Sequence, residues 1–315
     1  MELIRNLHRL SALASGCVAT IGNFDGVHLG HQLIIRQLQQ AAGQDGLPSV
    51  LLTFEPHPQE FFSPENAPAR LMRLREKLIC LRNYRLDQVV CLKFNRALAE
   101  LPAGDFIRNL LVEKLSVRHL VVGHDFRFGN KRKGDINLLE LSGKQYGFQV
   151  ECARTCEVDG HRVSSSIIRE ALVYGDLTRA ERLLGRPYSI CGRVVHGDKR
   201  GRKLGYPTIN IDMHRHRSPV SGIFATRIHG LGKTVHNAVT SIGTRPVFNG
   251  ENVRLEAHIL DFDTDVYGTH VCVELIQQLR PEQNFTTIDE LKMQIEKDID
   301  EARQYFLDKN KNTIN

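Results

Sequence analysis

Tryptophan is absent from this 315-residue chain, and aromatic residues make up only 7% of it. That scarcity counts against a surface for single-stranded nucleic acid, where exposed rings stack on successive bases. The longest apolar stretches, such as Leu120 to Gly123, fall far short of the roughly 18 residues a spanning helix needs. Glu2, Arg5, His8 and Arg9 break up the N-terminal region, so no secretory leader is expected. The chain therefore reads as cytoplasmic, with no membrane partner. No Gly-x-x-x-x-Gly-Lys-Ser/Thr string occurs, which excludes a Walker-type kinase. The cysteines number seven, and no Cys or His pair follows Cys152 and Cys156 at zinc-finger spacing. They are expected as reduced, small apolar side chains.

What is present suits a soluble protein of two domains. The length is comfortable for two cores, and 41% hydrophobic with 25% charged residues is ordinary composition. A net charge of +6 suits anionic partners, either nucleic acid or nucleoside phosphates. Oligomeric state leaves no mark in the sequence.

The first half alternates short apolar runs with amphipathic stretches. Strands are predicted at Cys17–Ile21, Ser49–Phe54, Gln88–Leu92, Arg118–Val122 and Phe148–Cys152. Helices are predicted between them at His28–Ala42, Arg73–Tyr84, Gly104–Lys114 and Asp135–Tyr146, and two more at Ser165–Tyr174 and Leu177–Leu184. Strand and helix in this rhythm imply a parallel, Rossmann-like α/β sheet. Gly185, Arg186 and Pro187 then stop the helical pattern. Beyond them, Val- and Ile-rich runs at Ser189–His196, Gly222–Ile228, Val235–Ile242, Val253–Asp261 and His270–Leu279 imply an antiparallel β-barrel. A last helix is predicted from Thr287 to Phe306. The domains are thus expected to be 1–185 and 186–315.

One constellation sits where the first strand meets the first helix: Gly22-Asn23-Phe24-Asp25-Gly26-Val27-His28-Leu29-Gly30-His31. A helix N-terminus beyond a strand's carboxyl end offers N–H donors and a positive dipole to phosphate. Glycines let backbone approach closely. His28 and His31, three apart, can both project from the first turn toward a phosphate gaining charge.

A second constellation lies after the boundary. Gly197, Gly201 and Gly205 alternate with Lys199, Arg200, Arg202 and Lys203, which suits either a flap over a polyanion or an exposed basic hairpin. Thr208 and Asn210 alternate, so an extended backbone points both to one face, where their oxygens can meet Mg²⁺. Glu256 interrupts a strand-like run, either as a functional carboxylate or as a rim partner of Arg254 or Arg280.

The first string resembles the HxGH signature of nucleotidyltransferases. Together with Phe54-Glu55-Pro56-His57-Pro58, Gly123-His124-Asp125-Phe126-Arg127-Phe128-Gly129 and Ser164-Ser165-Ser166-Ile167-Ile168-Arg169, it is similar to the adenylyltransferase half of bacterial bifunctional riboflavin kinase/FAD synthetases. The second set resembles the riboflavin kinase domain of that family, with Ile209 where the family usually has Ala. The resemblance implies that riboflavin is phosphorylated by ATP to FMN, and FMN is then adenylylated to FAD. It implies that His28 and His31 hold the ATP phosphates, with Gly22, Asn23, Phe24, Asp25 and Gly30. Ser164, Ser165, Ser166 and Arg169 would form a second phosphate cradle, and Asp125 a further ligand contact. In the kinase half it implies ATP contacts from Gly197, Gly201, Lys203, Gly205, Thr208 and Asn210, the last two also holding Mg²⁺, and Glu256 as general base. Alternatives are a nucleotidyltransferase for another small phosphate, or a basic RNA-binding protein. The motifs favour small-molecule substrates and no nucleic acid.

Overall fold

The computed structural model describes residues 1–5, 15–197, 201, 204–213, 215, 217–247 and 250–314, with backbone alone at 244–247, 250–252, 310 and 312–314. Lys199, Arg200, Arg202 and Lys203 of the basic segment lie outside the described residues, as do the side chains of 244–252.

Contacts divide the chain into two compact units: Met1–Pro68 with Met72–Ser165, and Ala69–Leu71 with Ser166–Asn315. The sequence boundary at 185/186 marks where helix gives way to strand, whereas the contact division marks where packing changes.

The first unit is a parallel sheet with helices on both faces. In chain order it holds β1 (Glu2–Ile4), β2 (Cys17–Ile21), α1 (Leu29–Asp45), β3 (Ser49–Glu55), α2 (Pro58–Phe62) and α3 (Leu74–Arg82). Then come β4 (Gln88–Lys93), α4 (Arg96–Ala99), α5 (Ala103–Asp105), a π-helical stretch at Phe106–Lys114, and β5 (Val117–Val122). α6 (Ile136–Tyr146), β6 (Gln149–Cys152) and a small hairpin of β7 (Glu157–Val158) and β8 (His161–Arg162) complete it. The sheet order is β1-β4-β3-β2-β5-β6, and every neighbouring pair is parallel. All five residues of β2 are buried, as a strand covered on both faces requires. Alternation divides them: Cys17, Ala19 and Ile21 join the core with Phe106, Ile107 and Leu111, while Val18 joins Ile35 and Leu38 of α1. Burial pushes the Cys17 thiol up to about 12, so it stays a packed, neutral group.

α1 ends where Gly46 adopts a left-handed conformation at φ 65° and returns its N–H to Ala42. α6 starts on Asp135, whose side chain accepts the Leu138 N–H, and ends at Gly147 with φ 77°. Sheet order reverses between β2 and β5. Ligands of open α/β sheets bind in the crevice at such a point, beyond the strands' carboxyl ends.

The second unit opens with α7 (Ser165–Val173, its first residue grouped with the first unit) and α8 (Leu177–Leu184), capped by Asp176 and Gly185. Six strands follow: β9 (Ser189–Val195), β10 (Ile209–Asp212), β11 (Gly222–His229), β12 (His236–Val247), β13 (Gly250–Ile259) and β14 (His270–Arg280). They close into an antiparallel barrel in the order β10-β13-β12-β11-β14-β9. Val194, Ile211, Phe224, Ile242, Leu255, Ala257 and Val273 are buried, which leaves the alternating positions facing outward. The closing helix α9 (Ile288–Ile314) lays Ala302 and Phe306 against Ala225.

The cysteine expectation is corrected in one respect. Cys191 and Cys272 stand directly opposite on β9 and β14, 4.0 Å apart at Cα, and are joined as a disulfide. The other five cysteines are free.

Candidate active sites

The loop from Gly22 to His28 leaves β2 at the crevice between β2 and β5. Its last ladder bond runs from the Gly22 N–H to the Leu52 carbonyl at 3.1 Å. The backbone then turns through left-handed conformations at Phe24 (φ 48°), Gly26 (φ 86°) and Val27 (φ 41°). Two of these are not glycine, and such backbone persists only where its surroundings hold it. Phe24 and Val27 are buried in the core beside α1. The Met72 N–H donates to the Asp25 carboxylate at 3.0 Å, the Ser165 hydroxyl to the Asp25 carbonyl at 2.9 Å, and the Gln32 amide to the Val27 carbonyl at 3.0 Å.

His28 caps α1. Its backbone is extended, and its Nδ1 accepts the His31 N–H at 3.3 Å. An accepting Nδ1 leaves a neutral ring's proton on Nε2, so the far edge of the imidazole is a donor. The two rings stack, with centroids 3.6 Å apart and planes at 18°. His28 is 6% exposed and His31 is half-buried, with the Phe24 ring 5.0 Å from the His31 ring. Gly30 is what permits this stack. A Cβ there would lie 3.2 Å from the His28 ring, inside ordinary contact distance.

Of the sequence-predicted residues, Gly22, Asn23, Phe24, Asp25, His28, Gly30, His31 and Ser165 therefore share one loop and its supports. Phe24 and Asp25 turn their side chains inward, leaving the backbone as their contribution. Ser164 precedes α7. Ser166 and Arg169 group with the second unit, where the Arg169 Nε donates to the Ala69 carbonyl at 2.6 Å. Asp125 stands exposed just past β5, with Arg162 at 2.7 Å. Partial burial would raise its carboxyl, but the Arg162 hydrogen bond and charge outweigh that and hold it below its ordinary value.

Three features were not read from the sequence. Lys77 of α3 is 3% exposed and donates to the Asn23 carbonyl at 2.6 Å and the Thr53 hydroxyl at 3.3 Å. Its signal in the sequence is a lysine three residues after Leu74 and four before Leu81, on the same helix face as both. Thr53 itself donates to the Asn23 carbonyl at 3.2 Å. Phe54, Phe61, Phe62 and Phe94 form edge-to-face pairs 5.4–5.9 Å apart near the carboxyl ends of β3 and β4.

The barrel's constellation lies on its outward face. Asn210 is paired with Glu256 across β10 and β13, and Ser241 with Glu256 across β12 and β13, so the three share a row. All are half-buried. The glycine segment packs directly on that row. A Cβ at Gly197 would occupy the place of the Asn210 carboxamide, and one at Gly201 would lie 3.3 Å from the Thr208 hydroxyl. Gly205 has φ 95°, which glycine alone adopts without strain. Pro207 is anchored through its carbonyl to His258 Nδ1 at 2.8 Å, two residues along from Glu256. The Tyr206 hydroxyl donates to Glu296 of α9 at 2.6 Å. Beyond β13, Tyr267 lies against His196 with ring centroids 3.8 Å apart.

Comparison with known proteins gives these two sites a context. Residues 10–167 match the family model described as FAD synthetase, and residues 184–306 the one described as riboflavin kinase. The bifunctional riboflavin kinase/FMN adenylyltransferase of Haemophilus influenzae is 46% identical, over 97% of this chain and 99% of its own. The protein of the same name from Escherichia coli strain K12 is 48% identical, over 97% and 98%. A crystal structure described as a macrolide-efflux protein from Streptococcus pneumoniae superposes with a TM-score of 0.80 at 30% identity, covering 96% of this chain and 98% of that one. Among the described residues no helix is long and apolar enough to cross a membrane. Two domain families in this order, and relatives matched end to end, settle the affiliation: the chain belongs to the bifunctional riboflavin kinase/FMN adenylyltransferase family.

Proposed function

We propose that this enzyme makes FMN and then FAD on two separate sites, one in residues 1–185 and one in residues 186–315. The observation that carries the reading is the pair of stacked imidazoles at the first turn of α1, beside the crevice where the parallel sheet reverses order.

In the kinase step, the Glu256 carboxylate accepts the proton of the riboflavin 5′-hydroxyl as that oxygen attacks the γ-phosphorus of ATP. A P–O bond forms to riboflavin, the bond to the β-phosphate oxygen breaks, and ADP leaves. Gly197 and Gly201 bring backbone close to the phosphates. Thr208 and Asn210 would hold Mg²⁺, since the ion takes few protein oxygens and completes its shell with phosphates and water. When bound, Mg²⁺ neutralises phosphate charge. Both side chains end in an oxygen, the donor type this hard cation takes.

In the adenylyl step, an FMN phosphate oxygen attacks the α-phosphorus of a second ATP and pyrophosphate leaves. No general base is needed, because FMN brings an ionised nucleophile. The His28 Nε2–H and the His31 ring orient and neutralise the phosphates, assisted by the N–H groups of the α1 terminus. Ser164 and Ser165, at the start of α7, supply further donors. The phenylalanine cluster beyond β3 and β4 offers an apolar surface for the flavin ring. Asp125 adds an acceptor at the same rim. Both steps use small-molecule partners and no nucleic acid, and the proposed location is the cytoplasm, where ATP is plentiful.

The test feeds purified variants riboflavin or FMN with ATP and Mg²⁺ and separates the flavins by chromatography. Glu256→Ala is expected to lose FMN formation by about 10²–10⁴-fold while still converting FMN to FAD. His28→Ala is expected to do the reverse, losing about 10²–10³-fold in FAD formation. Either variant disabling both steps in folded protein would end the assignment of one site per domain.

A further inference from the structure

We propose that Lys77 is a positioning residue for adenylyl transfer, which aims the peptide between Asn23 and Phe24 at the nucleotide's phosphates. The inference rests on the reading of the His28/His31 loop as the adenylyl-transfer site.

An ammonium with 3% exposure is costly unless its donors are satisfied. Two of them are spent at one place, the Asn23 carbonyl at 2.6 Å and the Thr53 hydroxyl at 3.3 Å. Thr53 is fully buried and gives its own hydrogen to the same carbonyl at 3.2 Å. The Asn23 oxygen thus accepts from two side chains immediately beyond the last ladder bond of β2 with β3. A trans peptide is planar, with C=O and N–H pointing in opposite directions. Drawing the Asn23 carbonyl inward therefore turns the Phe24 N–H toward the loop's other side.

The supports of this loop differ in kind. Asp25 is held by a backbone N–H and a serine hydroxyl, and Val27 by a glutamine amide. Those donors are a backbone N–H, a hydroxyl and a side-chain amide. A lysine donor on the carbonyl also polarises the peptide and strengthens its N–H as a donor. Phe24 places its side chain in the core and holds φ at 48°, so its N–H is the group it can offer a ligand. A leucine at this position would remove one of the two side-chain donors on the Asn23 carbonyl.

The test compares Lys77→Met, Lys77→Arg and Thr53→Val with the wild-type enzyme, with folding checked by circular dichroism and thermal melting. Lys77→Met is expected to raise the KM for ATP about 10-fold in FAD formation and to lower kcat/KM by roughly 100-fold, the scale of a small misplacement in a reactive site. The KM for FMN should move less, and Lys77→Arg should recover part of the loss. A residue that merely filled space would change the melting temperature and leave the KM for ATP where it was. Lys77→Met with FAD-forming kinetics within about twofold of wild type overturns the inference. Should that variant not fold, Thr53→Val decides: a severalfold rise in the KM for ATP supports the proposal, and an unchanged value overturns it. His28→Ala run alongside separates the two levels. Full activity there removes the site itself, whereas loss there with an intact Lys77→Met removes only the lysine's role.

Discussion

The two proposed sites of this chain would face phosphates with different materials. In the parallel sheet the proposed binding groups are mostly backbone: a loop with three left-handed residues and the first turn of α1, on which two imidazoles stack. On the barrel they are side chains of ordinary extended strands, Asn210 and Glu256 in one row, with Thr208 just before β10 and glycines lying against them. A backbone site draws its precision from buried supports such as Lys77, Thr53 and Asp25. A strand site draws it from register, because cross-strand pairing fixes which side chains meet. Substitutions should therefore act differently. Losing one side chain should be most damaging on the barrel, and adding a methyl group should damage both.

Asn210→Ala gives the largest contrast. It removes an oxygen from the phosphate face while leaving the strand's ladder intact, and riboflavin phosphorylation should fall by about 10²–10³-fold. Conversion of supplied FMN to FAD should not change. Steady-state rates for the two steps measured on one preparation make the comparison. Equal losses in both would show that the steps share this residue.

Added methyl groups come next. Gly30→Ala puts a Cβ 3.2 Å from the His28 ring, and the ring must tilt off the His31 ring. Gly197→Ala puts one where the Asn210 carboxamide lies. About tenfold losses are expected, in FAD formation for the first and in FMN formation for the second, with the KM for ATP carrying most of each. Gly30→Ala leaving FAD formation untouched would mean that the stacked geometry is not the working one.

Much of this arrangement was legible in the sequence, for physical reasons. β2 is found where it was expected, Cys17–Ile21, because a strand buried on both faces reads as a mostly apolar run, here interrupted only by Thr20 and bounded by Gly16 and Gly22. Long periodic helices were found to within a few residues, and α9 runs past the expected Phe306 to Ile314 because its polar end carries no stop signal. β10 was not expected as a strand: its four residues, Ile209–Asp212, give too little alternation. Glycine-rich motifs marked both sites, since close backbone approach restricts residue type. Their supports were harder to find. Lys77, Thr53 and the Cys191–Cys272 pair act across 54, 30 and 81 positions of sequence, and only the folded chain brings them together.

The weakest effect tests the opposite end of the same sheet. Ser49 begins β3 and Asp87 precedes β4. The Ser49 N–H and hydroxyl donate to the Asp87 carboxylate at 2.8 and 2.7 Å, and the Asp87 N–H returns to the Ser49 hydroxyl at 3.0 Å. The Ser49 backbone hydrogen bond is the main reason the Asp87 carboxyl is held below its ordinary value, against some opposition from burial. A carboxyl whose pKa is depressed by folding stabilises the protein above its unfolded pKa. That stability is lost as pH falls through the folded value. Melting temperature should therefore drop on acidification below the ordinary carboxylate range, and Asp87→Asn should flatten that part of the profile. Because Asp87 is exposed, the contribution is discounted to about 0–1 kcal/mol. The change should leave FAD formation unaltered, since this pair sits at the amino ends of the strands and the loop at the carboxyl ends. Asp87→Asn that slowed adenylyl transfer as Lys77→Met is expected to would show that the sheet, rather than the lysine, sets the loop.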